Sequence, residues 1–309
     1  MSKKVFFSGS KVVSLYLFLF LLLAAGFLLP LFFNKTISSL KTAEISLPPP
    51  AAYPENFTGR PLSFLTARSA VAIDIDSGTV LWEKDAQVAT SPASTTKMMT
   101  ALVVLENYRL DQVIEVADLG FVEGQKMKLV PGEKISVEDL LYGLLVSSAN
   151  DAAIAFAKNF PNGERGFVWA MNQKANELGL LKTNFTNPVG YDEPDHYSTA
   201  SDLTRLAIEA MKNPTIARMV ATKEITVSDL SGKILHPMSN INLLVGNLPG
   251  VKGVKTGWTQ EAGECLVTLV ERDNRRIMIS LLGSSDRFAE TKALVEWIFE
   301  NFTWEEFTP

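Results

Sequence analysis

The chain of 309 residues has one cysteine and two histidines. A lone cysteine closes no intrachain disulfide. Cys265 lies in the apolar run AGECLVTLV and reads as a small buried core residue. Cys265, His196 and His236 lack the paired spacing of a structural zinc site. Asp192, Asp195 and His196 are the one hint of a metal cluster, too thin for a metal-dependent enzyme. So few histidines also leave little room for a serine–histidine–aspartate triad. His196, in DHYSTASD, is read as a loop hydrogen-bonding residue, and His236, in GKILHPMSN, as a surface turn residue beside Pro237. Excess basic charge is missing as well: 29 Lys and Arg stand against 34 Asp and Glu, a net charge of −5. With no basic stripe interleaved with aromatics, nucleic acid is excluded as a partner.

What is present begins with a long uncharged run, VVSLYLFLFLLLAAGFLLPLFF, residues 12–33, after Lys3, Lys4 and Lys11. About 20 apolar residues cross a bilayer as a helix, and a cleaved signal usually has a shorter apolar core. The run is therefore expected to be a transmembrane anchor, with residues 1–11 cytoplasmic and the rest of the chain outside the cytoplasm. Residues 34–60, with SLPPPAAYPENFTGRP, read as a proline-rich tether. The folded domain is expected over 61–305.

Within that domain, SAVAIDIDSGTVLWEKD (69–85) alternates and breaks at Asp76-Ser77-Gly78, a hairpin signal. The middle of the chain is helical in pattern: 94–107, 136–148, 150–160, 163–180 and 198–213, with a capping-box signature at Ser136 and Asp139. Strand patterns return at 223–228, 250–258, 264–273 and 275–283, the last two joined by a tight turn near Asn274, and 285–302 closes as an amphipathic helix. The pattern predicts an α+β domain whose antiparallel sheet joins N- and C-terminal segments around a helical middle region. Arg287 and Asp202 are read as structural pairing residues.

Three short stretches carry chemistry. In SPASTTKMMTALVVLE, Ser94 and Lys97 stand three apart at the mouth of an apolar run, on one face of a helix. A serine hydroxyl is a weak nucleophile until its proton is removed. A lysine can remove it only when neutral, and lowering its pKa from about 10.4 to about 7 costs roughly 4–5 kcal/mol. Burial and a second cation both push that way. LLVSSANDAA puts Ser148-Ala149-Asn150 at a helix–helix junction, where a capping role is the simpler reading. VKGVKTGWT puts Lys255-Thr256-Gly257 on a strand, where glycine admits the close approach of a ligand or another backbone. Lys255 can bind a carboxylate or supply the second cation.

Serine-x-x-lysine, serine–aspartate–asparagine and lysine–threonine–glycine together mark penicillin-binding proteins and class A β-lactamases, and this chain carries the three elements in that order with alanine in place of the aspartate, Ser148-Ala149-Asn150. With TNFTNPVGYD, HYSTASDLTRLA and VKGVKTGWTQEAGECLVT added, residues 65–300 resemble the serine D-alanyl-D-alanine carboxypeptidase family, the low-molecular-mass penicillin-binding proteins of peptidase family S11. The resemblance implies the transpeptidase-like fold of that family and roles for eight residues. Ser94 would be the acylated nucleophile and Lys97 its general base. Ser148 would relay a proton to the leaving D-alanine, and Asn150 would hold the substrate amide and orient Lys97. Lys255 would lower the amine pKa and Thr256 would bind the terminal carboxylate, with Gly257 beside it. Backbone N–H groups of Ser94 and Trp258 would form the oxyanion hole. The implied partners are peptidoglycan stem peptides ending in D-Ala-D-Ala, β-lactams as covalent inhibitors, and the bacterial cytoplasmic membrane; no metal or organic cofactor is implied.

The central alanine of Ser148-Ala149-Asn150 and the lack of an E-x-x-L-N glutamate argue against β-lactamase activity; NELG (176–179) reads as a helix end. Many family members also carry a C-terminal β-rich domain and a terminal amphipathic helix, and neither is expected here. Endopeptidase action on cross-links, or a penicillin-binding sensor with slow turnover, stay open as alternatives.

Overall fold

The computed structural model describes Val13, residues 16–20 and residues 52–305. Val13 and residues 16–20 are helical, and the remainder of the expected anchor and of the tether up to residue 51 lies outside the described residues. No helix among the described residues is long and apolar enough to cross a membrane.

A five-stranded antiparallel sheet in the order β3-β2-β10-β9-β8 organises the molecule. Its strands are β2 (Ser69–Asp74), β3 (Val80–Lys84), β8 (Val251–Thr259), β9 (Gly263–Arg272) and β10 (Arg275–Ser284). The hairpin between β2 and β3 turns where the sequence breaks: Asp74 Oδ1 accepts from the Ser77 N–H at 2.8 Å and the Ser77 hydroxyl at 2.7 Å. Asp273 and Asn274, the two residues joining β9 to β10, both have positive φ (51° and 58°), as a type I′ turn requires.

Side chains alternate across this sheet with period two. On β10, Met278 and Leu282 enter the core shared with the helices, while Ile277, Ile279 and Leu281 enter a second core on the opposite face. Cys265, Val267 and Leu269 of β9 repeat the division against Leu266 and Val270. A sheet buried on both faces explains why these strands read as nearly unbroken apolar runs.

One face is covered by the helical middle: α1 (Lys97–Asn107), α2 (Val137–Leu145), α3 (Asn150–Lys158), α4 (Gly163–Glu177), α5 (Ala200–Lys212) and α6 (Pro214–Val220). Capping follows the sequence: Ser136 and Thr199 accept the N–H groups of Asp139 and Asp202 to open α2 and α5. The other face is covered by α7 (Arg287–Asn301), whose Leu294, Val295 and Ile298 are buried. Two smaller hairpins flank the helices, β4 (Val113–Glu115) with β5 (Lys134–Ser136), and β6 (Glu224–Ser228) with β7 (Leu235–Ser239).

Two expectations are corrected. Strand β1 (Tyr53–Asn56) lies within the stretch expected as tether, and it pairs antiparallel with β11 (Phe302–Glu305). Its partner lies almost the whole domain away in sequence, so nothing local marks it. His236 is not a surface turn residue but is buried on β7. Its Nε2 lies 2.6 Å from Glu133 Oε1, and its Nδ1 donates to the Met127 carbonyl at 2.8 Å. The alternation of β7 turns His236 and Met238 inward, and Pro237 faces out on a two-stranded edge that tolerates it.

Candidate active site

Ser94 lies in a single 3₁₀ turn, Ala93–Thr96, that leads directly into α1. Ala93, in the left-handed region at φ 48°, makes the sharp entry. Two glycines let other backbone close on that turn. A Cβ on Gly190 would lie 2.0 Å from the Ala93 carbonyl oxygen, and one on Gly257 would lie 2.9 Å from the Ser94 nitrogen. Gly257 is thus required by close approach, as the sequence suggested.

Lys97 opens α1 and is fully buried. Its Nζ lies 2.9 Å from Ser94 Oγ, 2.7 Å from Asn150 Oδ1 and 2.8 Å from the Val189 carbonyl oxygen. The last two can only accept hydrogen bonds. A neutral amine keeps its two N–H groups on them and turns its lone pair toward the Ser94 hydroxyl. Burial, then the positive charge of Lys255, hold the Lys97 pKa well below its ordinary value, with the Asp151 carboxylate opposing.

Ser148 has a φ of 59°, and the bend it makes ahead of α3 brings the Ser148 and Asn150 side chains toward the two lysines. Lys255, on β8, donates to Ser148 Oγ at 2.8 Å and to the Thr256 carbonyl at 2.9 Å. Burial, then Arg287, lowers its pKa to about 7. The Thr256 hydroxyl is buried without a hydrogen-bond partner among the described residues. Trp258, two residues further along the strand, is exposed and lines a cleft of about 540 Å³ with Ser94, Phe121, Asn150, Tyr191 and Asp192.

The structure therefore gathers two hydrogen-bonded sets, Ser94–Lys97–Asn150 and Ser148–Lys255, close enough for the Lys255 charge to act on Lys97, with Thr256, Gly257 and Trp258 along the β8 edge. Sequence reasoning missed the supporting groups. The Val189 carbonyl is aimed by a turn in which Asn187 Oδ1 accepts the N–H groups of Val189, Gly190 and Tyr191. The signal was present in NPVGY, an asparagine followed by proline and glycine. Tyr191 donates to the Glu123 carbonyl at 3.1 Å, and burial raises its phenol pKa. Arg287 pairs as expected, 3.9 Å from Glu264, yet it also donates to the Gly257 carbonyl at 2.8 Å. His196 accepts the Thr186 N–H at Nδ1, so Nε2 carries the proton toward Thr96; burial lowers its pKa to about 4. Asp192 is occupied by Ser91, Thr259 and the Glu261 N–H, and it forms no metal cluster with Asp195 and His196 among the described residues.

The family model of the D-alanyl-D-alanine carboxypeptidases, peptidase S11, matches residues 56–286. The chain is 36% identical over 245 residues to D-alanyl-D-alanine carboxypeptidase DacF of Bacillus subtilis, covering 76% of this chain and 63% of that one. It is 35% identical to a D-alanyl-D-alanine endopeptidase of Pseudomonas aeruginosa, covering 84% of each chain. Among solved structures, the Streptomyces K15 DD-transpeptidase superposes with a TM-score of 0.73 at 32% identity, covering 78% of this chain and 100% of that chain. The sheet order, the buried lysine pair and these likenesses agree: the chain belongs to the D-alanyl-D-alanine carboxypeptidase family, peptidase S11.

Proposed function

We propose that the chain is a serine-type D-alanyl-D-alanine carboxypeptidase that removes the terminal D-alanine from peptidoglycan stem pentapeptides and is trapped by β-lactams. The observation that carries this reading is the Lys97 amine, buried beside a second lysine and 2.9 Å from Ser94 Oγ.

The chemistry follows from the geometry. Neutral Lys97 takes the Ser94 proton as Oγ attacks the penultimate D-alanine carbonyl. The oxyanion that forms sits against the N–H groups of Ser94 and Trp258, which Gly257 allows to approach. Ser148, held by Lys255, relays the proton taken up by Lys97 to the departing D-alanine nitrogen, so that both end the step in their starting forms. Asn150 fixes Lys97 and faces the substrate backbone, and the unpartnered Thr256 hydroxyl takes the terminal carboxylate. Water then cleaves the acyl-enzyme and returns Ser94 to its hydroxyl form. The test is release of D-alanine from a D-Ala-D-Ala peptide by the wild-type chain and by Ser94→Ala. Release by the first alone supports the reading, and equal release by both refutes it.

The Pseudomonas relative, aligned along most of both chains, favours a second reading: cleavage of D-alanyl cross-links by the same residues. Incubating purified cross-linked dimers with the chain separates the two. The uncharged run 12–33 and the lysines before it support an anchored enzyme acting outside the bacterial cytoplasmic membrane.

A further inference from the structure

We propose that Asp151 is a positioning residue: its carboxylate pins the 127–129 backbone so that the adjoining 123–125 segment clamps Asn150 against Lys97. The inference rests on the catalytic reading above. Asp151 is buried at the start of α3. Its Oδ1 accepts the N–H groups of Met127 and Ala152, both at 3.0 Å, and its Oδ2 accepts those of Lys128 at 2.8 Å and Leu129 at 3.1 Å. Three successive N–H groups converging on one carboxylate form a nest, and Lys128 reaches it at a φ of 68°. A non-glycine residue held there needs a strong local partner.

The same loop grips Asn150 at two points. The Gln125 carbonyl accepts the Asn150 backbone N–H at 2.7 Å, and the Glu123 carbonyl accepts Asn150 Nδ2 at 2.6 Å. A carbonyl can face only the NH2 end of the amide, so the Glu123 contact decides which end meets Lys97. With Nδ2 on Glu123, Oδ1 is the atom 2.7 Å from the lysine. A flipped amide would set donors against an amine that must itself donate. Gly124 sits so close that a Cβ there would lie 2.8 Å from Nδ2. Loosening the loop therefore loosens the orientation of the base.

Asp151 also acts by charge. Lys97 faces Lys255 from β8, Asp151 from α3 and neutral His196 from the loop before α5, with Arg287 behind Lys255. Asp151 is the member of this set that raises the Lys97 pKa. Removing its charge lets Lys97 lose its proton at lower pH. Height and pH position of the acylation profile thus depend on two separable properties of one side chain, its shape and its charge.

The experiment follows the rate of Ser94 labelling by a fluorescent penicillin across pH, in the full chain and in Asp151→Asn and Asp151→Glu. In Asp151→Asn, two of the four N–H groups lose their acceptor and the charge is gone. The maximum is expected to fall about 100-fold, the scale of a misplaced catalytic group, and the acid limb to move to lower pH. Asp151→Glu restores the charge without the fit, so its limb returns to the wild-type position while its maximum stays low. An Asp151→Asn chain with wild-type rate and limb, or with a limb that does not move, overturns the proposal. No labelling of the wild-type chain would instead withdraw the catalytic reading and this inference with it. Amide exchange in the wild-type chain needs no variant: the Met127, Lys128 and Leu129 amides are expected to exchange more slowly than that of exposed Phe121. Equal exchange would also overturn the proposal.

Discussion

Two buried ionisable clusters sit in this domain, and they are built on opposite principles. His236 and Glu133 lie 2.6 Å apart with side chains almost wholly buried. His236 Nδ1–H donates a hydrogen bond to the Met127 carbonyl, and Glu133 Oε2 accepts the Val130 N–H at 3.0 Å. One proton between Nε2 and Oε1 leaves the pair with no net charge on either assignment, so every polar atom is satisfied. Lys97 and Lys255 are also buried, yet they share a sign, and each lowers its pKa rather than finding a carboxylate to pair with. The first cluster ties the β6–β7 hairpin to the loop at 127–133 and holds structure together. The second stores an unfavourable arrangement whose relief is the loss of a proton. Burial alone therefore does not mark function; burial without a compensating charge does.

The comparison breaks most sharply at Lys97. Lys97→Met is expected to slow Ser94 acylation by about 10²–10⁴-fold, the range of a lost general base. Its thermal unfolding midpoint should stay level, because relief of the buried amine offsets the loss of a donor to Asn150 Oδ1 and the Val189 carbonyl. A fall in both would show that Lys97 is a structural residue like His236. Glu133→Ala should give the reverse. Leaving His236 unpaired costs about 3–5 kcal/mol of stability, readable by denaturant unfolding, while penicillin acylation at low temperature persists.

Gly257→Ala probes a smaller effect. A Cβ 2.9 Å from the Ser94 nitrogen must shift the nucleophile or β8. Acylation should fall about 100-fold with the unfolding midpoint close to wild type. The pH dependence of stability is the finest test. Between about 7, where folded Lys255 titrates, and its ordinary 10.5, the unfolded chain binds more protons than the folded one. Wild-type stability relative to Lys255→Met should therefore rise with pH through that window, by at most about 1.4 kcal/mol per unit. A flat difference would mean that Lys255 keeps its proton when folded.

The same contrast explains what could be read in advance. Ser94 and Lys97 are legible because helical spacing couples them locally, and Lys255-Thr256-Gly257 because glycine and lysine are out of place on an apolar strand. The central sheet was legible from its apolar runs and its turn at Asn274. His236 was misread because its partner, Glu133, lies on a distant loop and a neighbouring proline suggests a turn. Strand β1 was hidden among prolines, its pairing to β11 fixed only by the folded chain. Asp151 stood beside Asn150 in plain view, but an acid in the first turn of a helix ordinarily answers the helix dipole. Nothing in its own neighbourhood reveals the three N–H groups that reach it from another loop.

Lys97 is neutral where it works. The most direct test is an NMR titration of the Lys97 side chain, labelled with ¹³C at Cε and assigned by its loss in Lys97→Arg. The midpoint is expected well below the ordinary 10.5, moving upward in Lys255→Met as one source of repulsion is removed. A midpoint at the ordinary lysine value, indifferent to Lys255, would contradict a neutral Lys97.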